Sequence, residues 1–186
     1  ICGDYDADGI TSTVLLVELL EKLGAHPISL IPSRKEDGYG LNIKMIDEIN
    51  MKGIKLIITV DNGISAFEAI KKFNDLSLDL IITDHHKIPN KNLEIFALIH
   101  PEKAPLNSPY KYLAGVGITY MLAKNICDKL NFNIDKCASS VLFCIGTIAD
   151  MAPLVGANRK WLKDSLPKIQ STNNLGIKSI LKKLSL

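Results

Sequence analysis

The chain has 186 residues, 47% of them hydrophobic, with four cysteines and a formal net charge of +2, which is enough apolar material for one substantial core. No apolar run is long enough to span a bilayer, and no charged start leads into a signal-type stretch. The cysteines (Cys2, Cys127, Cys137, Cys144) form no C-x-x-C pair, which argues against a zinc site and predicts reduced thiols in a cytoplasmic protein.

The chain does not start with Met, and Ile1-Cys2-Gly3 reads as the tail of a strand, so a piece of a longer protein is expected. Asp4-Tyr5-Asp6-Ala7-Asp8-Gly9 follows, with acids spaced by two that share a face in extended backbone. Gly9 permits a tight turn into an amphipathic helix over residues 10–23, stopped by Gly24. Thr11, Ser12 and the free N–H groups of the first turn suit a phosphate. The D-x-D-x-D-G run resembles the start of a calcium-binding loop, but the position for its bidentate glutamate is apolar and no helix precedes it.

A strand over 28–31 leads to a loop with Arg34, Lys35 and Tyr39-Gly40-Leu41-Asn42. Arg34 is a candidate bidentate clamp for phosphate, though composition fits a plain surface loop equally well. A helix over 43–51 precedes a strand over 56–60 that ends in Asp61-Asn62-Gly63. Alone that triplet signals a turn. Directly after an apolar strand, Asp61 is better explained as a ligand, and Asn62 and Gly63 leave room for close backbone approach.

After a helix over 65–73, the strand over 80–83 delivers Asp84-His85-His86. Successive side chains of extended backbone point apart. One histidine is therefore expected to ligate metal and its neighbour to face substrate, with Asp84 fixing an imidazole tautomer. A last strand over 95–99 is followed by an irregular link marked by Pro101, Pro105 and Pro109. Helices are predicted over 113–129, opened by Gly115-Val116-Gly117, and over 139–149, 159–169 and 175–184. Asp150 lies in a largely apolar stretch where a bare charge is costly, so it reads as a metal ligand or a helix-terminal cap. His26 and His100 lack acidic neighbours and read as structural residues.

Continuous apolar strands alternating with helices predict an α/β fold: an open, mostly parallel sheet flanked by helices over 1–100, then a helical part over 113–186. The runs 55–61 and 79–84 echo each other, each placing a carboxylate at the carboxyl edge of the sheet, where such sheets bind ligands. Hard oxygen ligands with imidazole suit a divalent metal, and more carboxylates than one ion needs point to two. The residues thus read as a dinuclear metallo-hydrolase. Residues 151–186 carry seven basic residues against Asp164 alone, a net +6, which leaves −4 for residues 1–150. Two bound cations would offset that deficit, and the basic stretch suits a polyanion, unless it is a set of solvated helix faces.

The four segments at 4–9, 61–63, 84–86 and Ala-Asp-Met-Ala-Pro-Leu at 149–154 resemble the motifs of the DHH phosphoesterases, most of all the single-stranded-DNA exonucleases among them. Arg34 with Gly38-Tyr39-Gly40-Leu41, the run 113–117 and Asn158-Arg159 add to the likeness. The resemblance implies Mn²⁺ or Mg²⁺, two ions, held by Asp6, Asp8, Asp61, His85 and Asp150, with Asp61 bridging. It implies that His86 faces the scissile phosphate, supported by Asp84 and Asp4. Other members have a His ligand where this chain has Cys2, and Trp161-Leu162-Lys163-Asp164 departs from a more aliphatic run. The implied protein is a 5′-to-3′ exonuclease of repair and recombination, a monomer acting on single-stranded DNA, with single-strand-binding protein or helicase partners not readable from the sequence. The chain would be one DHH domain truncated at both ends, without its C-terminal DHHA1 domain. Members that cleave very short oligonucleotides or cyclic dinucleotides lack this fourth motif, and non-catalytic scaffolds of the family lose ligands that are present here.

Overall fold

The computed structural model of the chain describes residues 1–137 and 139–185. Strands β1 (Leu56–Val60), β2 (Asp79–Thr83) and β3 (Ala97–Ile99) form a parallel sheet in that order. Val60 lies opposite Thr83 and Thr83 opposite Ile99, so the three carboxyl ends are level. Cys2 extends the sheet, bridging in parallel to Thr59 on one side and to Leu30 on the other. The extended segments thus run across the sheet in the chain order 2-1-3-4-5. This is a doubly wound order whose winding reverses between residues 1–3 and β1, and ligands of open α/β sheets bind at such a point.

The segment predicted as a strand over 28–31 reaches the sheet through Leu30 alone. Pro27 and Pro32 flank it and lack the N–H groups that a longer ladder needs. Helix α1 (Ala7–Lys22) starts three residues before the predicted Ile10, because Asp6 caps it by accepting the Gly9 N–H at 2.8 Å. It ends at Gly24, whose φ of +85° suits glycine, with the Ala25 N–H returning to Leu20 O.

Alternate residues of β1 feed two cores. Ile57, with Leu80 and Ile82, packs on α2 (Ile43–Met51) and α3 (Phe67–Asp75) through Ile46, Ile49, Ile70 and Phe73. Val60 faces Leu15, Leu16 and Leu19 of α1, Val116 and Ala123 of α4 (Gly115–Leu130), and Phe143 and Cys144 of α6 (Ser140–Ala149). The short α5 (Ile134–Cys137), α7 (Gly156–Ser165) and α8 (Leu175–Leu184) complete the α-helices among the described residues. Trp161 of α7 meets Tyr120 and Phe143 edge-on at 5.2 and 5.4 Å, so the departure from an aliphatic run is absorbed by an aromatic cluster. No helix among the described residues is long and apolar enough to cross a membrane.

Candidate metal centre

Four segments bring acidic groups to the switch point. Asp4 follows the first extended segment and Asp8 lies in the first turn of α1, while Asp61 ends β1 and Asp150 ends α6. Asp8 does not share an extended face with Asp4 and Asp6, as the two-residue spacing suggests, because the helix has already begun. It is buried and reaches across to α4, whose Gly115 and Val116 N–H groups donate to its two oxygens at 2.7 and 2.8 Å. Those N–H groups are orphans of a helix that has no side-chain cap of its own. Gly115 lets the helix approach: a Cβ there would stand 2.5 Å from the Asp61 Cβ. Asp61 adopts a left-handed φ of +62° at the strand end, which turns its carboxylate toward Asp8 and His85.

His85 and His86 take different partners, although their rings stay in contact with centroids 4.6 Å apart. His85 Nε2 lies 3.0 Å from Asp61 Oδ1 and 3.8 Å from Asp8 Oδ2. The Asp61 contact is an ion-pair distance without hydrogen-bond alignment, so Asp61 Oδ1 is buried without a donor. His86 turns outward: its Nδ1 pairs with Asp84 Oδ1 at 2.7 Å and its Nε2 with the Tyr39 hydroxyl at 3.2 Å. Asp84 also accepts the N–H groups of Ile64, His85 and His86. These bonds outweigh its burial and hold its carboxyl below the usual range.

Ligand atoms of Asp8, His85 and Asp150 lie within 4.8 Å of one another, as do those of Asp61, His85 and His86. Asp150 is the C-cap of α6, not an interior helix residue, since Met151 turns left-handed after it. A carboxylate has no proton to give the last carbonyls and sits at the negative end of the helix dipole, so a capping role fails. Asp6 is exposed and occupied as the α1 cap. Its charge is nevertheless felt by Asp61 and Asp150.

The donor set fits divalent cations. Burial, then the charge of Asp61, pushes Asp8 up to about 7, and burial pushes Asp61 up to about 6 despite His85. Burial alone would lower His85, but Asp61, Asp150 and Asp8 outweigh it and raise it to about 9. Such a crowd of carboxylates lacks positive charge, and the proton on His85 only partly supplies it. Both oxygens of Asp4 are fully buried with no aligned donor, and burial raises its carboxyl; the Tyr5 and Gly40 amides offset this in part.

The predicted substrate contacts fare differently. Thr11 is buried and its hydroxyl donates to Ala7 O and Asp8 O, while Ser12 is fully buried inside α1's packing. Neither is available to a phosphate, because the early helix start places them a turn past the free N–H groups. Asn62 is buried too: its amide donates to Cys2 O and Val60 O and accepts the Leu41 N–H. It ties the two strand ends at the switch point to the loop after residue 38. Gly63, at φ +110° with a Cβ position 2.8 Å from Thr59 Oγ1, serves the backbone turn. Arg34 is exposed with its guanidinium 5.5 Å over the Tyr5 ring, which itself meets Tyr39 edge-on.

Sequence reasoning passed over Tyr39, whose hydroxyl lies 3.3 Å from Asp61 O as well as beside His86. The signal was its position between Gly38 and Gly40, both at positive φ. It also passed over Gly146, where a Cβ would collide with Thr11 and Val116 and crowd Asp8.

Fold and site together define an α/β domain whose sheet edge is equipped for divalent cations. The chain belongs to the DHH family: residues 1–147 match the DHH family, N-terminal domain. It is 41% identical over 182 residues to the single-stranded-DNA-specific exonuclease RecJ of Bacillus subtilis, covering 98% of this chain and 22% of that protein. With RecJ of Escherichia coli the identity is 37% over 194 residues, covering 97% of this chain and 33% of the relative. A crystal structure of exonuclease RecJ bound to manganese superimposes with a TM-score of 0.86 at 32% identity, covering 97% of this chain and 46% of the other. The chain thus spans a fifth to a third of the length of these two sequence relatives.

Proposed function

We propose that this chain is the metal-binding part of a Mn²⁺- or Mg²⁺-dependent phosphodiesterase that removes nucleotides from single-stranded DNA, 5′ to 3′, in repair and recombination. The observation that carries the proposal is the meeting of Asp8, Asp61, His85 and Asp150 at one sheet edge. The names of the RecJ relatives and the manganese in the solved neighbour support metal, substrate and reaction. Asp6, Asp8, Asp61, His85 and Asp150 would hold two ions, with Asp61 between them. Bound there, divalent ions lower the pKa of water and neutralise charge on a phosphate.

The protein's own groups supply the rest. Asp84, kept ionised by its hydrogen bonds, raises the pKa of His86 and so favours its protonated form, which would offer positive charge and a proton toward a phosphate at the open edge. Asp4, buried behind the site, supports it through its interaction with His86. Arg34 is the proposed clamp for a substrate phosphate.

In this reading residues 113–186 lead toward a further DHHA1 domain, and the protein works in the cytoplasm as a monomer. Single strands need a basic groove and stacking platforms. With 6% aromatic residues and an acidic first part, this chain alone is expected to bind DNA weakly. Product analysis on single strands labelled at the 5′ or 3′ end tests the proposal. Mononucleotides released from the 5′ end, with Mn²⁺ and not with chelator, are expected. Cleavage that persists in chelator would refute it.

A further inference from the structure

The third strand does what the first two do. β1 delivers Asp61 and β2 delivers Asp84, and β3 delivers His100 at the same level of the sheet. His100 is 6% exposed, and both of its ring nitrogens bond to backbone groups rather than to carboxylates of the metal centre. Its Nδ1 accepts the Glu102 N–H at 3.1 Å, so His100 caps the short 3-10 helix Pro101–Lys103. A backbone N–H can only donate, so Nδ1 carries no proton. The neutral ring must then hold its proton on Nε2. Nε2 stands 2.7 Å from the backbone oxygen of His86 and donates to it.

His86 is therefore gripped at every polar atom. Asp84 Oδ1 takes its N–H at 3.0 Å and its Nδ1 at 2.7 Å, Tyr39 meets Nε2 at 3.2 Å, and His100 holds the carbonyl. Asp84 and Tyr39 set the ring; the main chain from which it projects is held by Asp84 at the N–H and by His100 at the carbonyl. We infer that His100 is a positioning residue for His86, fixing through its Nε2–H the angle at which that imidazole meets the open edge. The inference rests on the hydrolase reading above for its effect on turnover, and on geometry alone for its effect on His86.

The test compares His100→Gln with His100→Glu, which are isosteric. Both release the Glu102 N–H alike, but only Gln places a donor where the imidazole Nε2 stood, within reach of His86 O. At saturating Mn²⁺, with a 5′-phosphorylated single-stranded oligonucleotide, Gln should retain most of kcat. Glu should lose about 10–100-fold in kcat, with KM and the calorimetric Mn²⁺ affinity unchanged. In ¹⁵N-imidazole spectra of the metal-free protein, His86 should shift in the Glu variant and not in the Gln variant. Should the new carboxylate prevent folding, His100→Ala against His100→Gln makes the same comparison. Equal activity of the two variants, or equal loss with an unmoved His86 signal, overturns the inference. An unmutated protein inactive on the oligonucleotide would sink the hydrolase reading instead, and the His86 spectra would still decide the role of His100.

Discussion

Gly115→Ala probes the contact on which the centre is built. Its Cβ would stand 2.5 Å from the Asp61 Cβ, 2.6 Å from Oδ1 and 2.7 Å from Cγ, so either the strand end or the helix must move. Asp61 is held by its own strand pairing, with its N–H on Thr83 O, so the helix is the part that yields. Moving α4 breaks the two bonds from Gly115 and Val116 to Asp8. Hydrogen bonds to a charged group contribute about 1.5–3 kcal/mol each. Helix propensity returns at most about 1 kcal/mol, and relaxation recovers part of the remainder, which leaves a net loss of about 2–4 kcal/mol. For a chain of this size, with about 2–4 °C per kcal/mol, the melting temperature should fall by roughly 5–15 °C. Calorimetric Mn²⁺ binding should weaken in parallel. Gly176→Ala in α8 is the control, since its Cβ would meet only Asn174 Oδ1 at 3.3 Å; it should stay within about 0.5 kcal/mol of the parent. An unshifted melting curve and intact Mn²⁺ binding in Gly115→Ala would refute this account of the helix terminus.

Asp61→Ala should abolish hydrolysis and the calorimetric Mn²⁺ signal while far-ultraviolet circular dichroism stays native; activity in the presence of chelator would count against it. His85→Ala should weaken Mn²⁺ affinity, whereas His86→Ala should keep the metal and lose roughly 10²–10⁴-fold in single-turnover rate; the opposite pattern reverses the two roles. Asn62→Leu removes the acceptor of the Leu41 N–H and one donor each from the Cys2 and Val60 carbonyls, of which the Cys2 carbonyl keeps the Val60 N–H, so urea unfolding should show a loss of about 2 kcal/mol. The folded pKa values of Asp8, raised from 3.8 to about 7, and His85, raised from 6.5 to about 9, both lie above the ordinary ones. The metal-free fold thus binds more protons than the unfolded chain, and its stability falls as pH rises from about 4 to about 9. Mn²⁺ displaces those protons, so its stabilising increment should grow over the same range. Melting curves across pH with and without Mn²⁺ check both slopes.

The edge carboxylates were legible because an Asp directly after an apolar strand is costly unless it binds something. Asp61 and Asp84 therefore announced the parallel sheet and the edge at which the acidic groups and His85 gather. Backbone geometry led to the expectation that His85 and His86 point apart; they take different partners, but their rings remain 4.6 Å apart. What lay beyond the sequence was side-chain bonding between distant segments. Asp6 as a cap shifted the start of α1 and carried Thr11 and Ser12 inward, which local spacing could not reveal. Asn62 looked like a turn residue open to substrate, yet it bonds to Cys2 and Leu41 across the switch point. His100 had no acidic neighbour to mark it, because its partner is a backbone carbonyl. Gly115 meets Asp61 only in three dimensions.

Anomalous diffraction at the manganese edge, from crystals of this chain grown with Mn²⁺, tests the central claim most directly. The account predicts two peaks at the carboxyl edge of the sheet, with the Asp61 carboxylate between them, His85 Nε2 on one and His86 on neither. Peaks elsewhere, or none within reach of Asp8, Asp61 and Asp150, would contradict it.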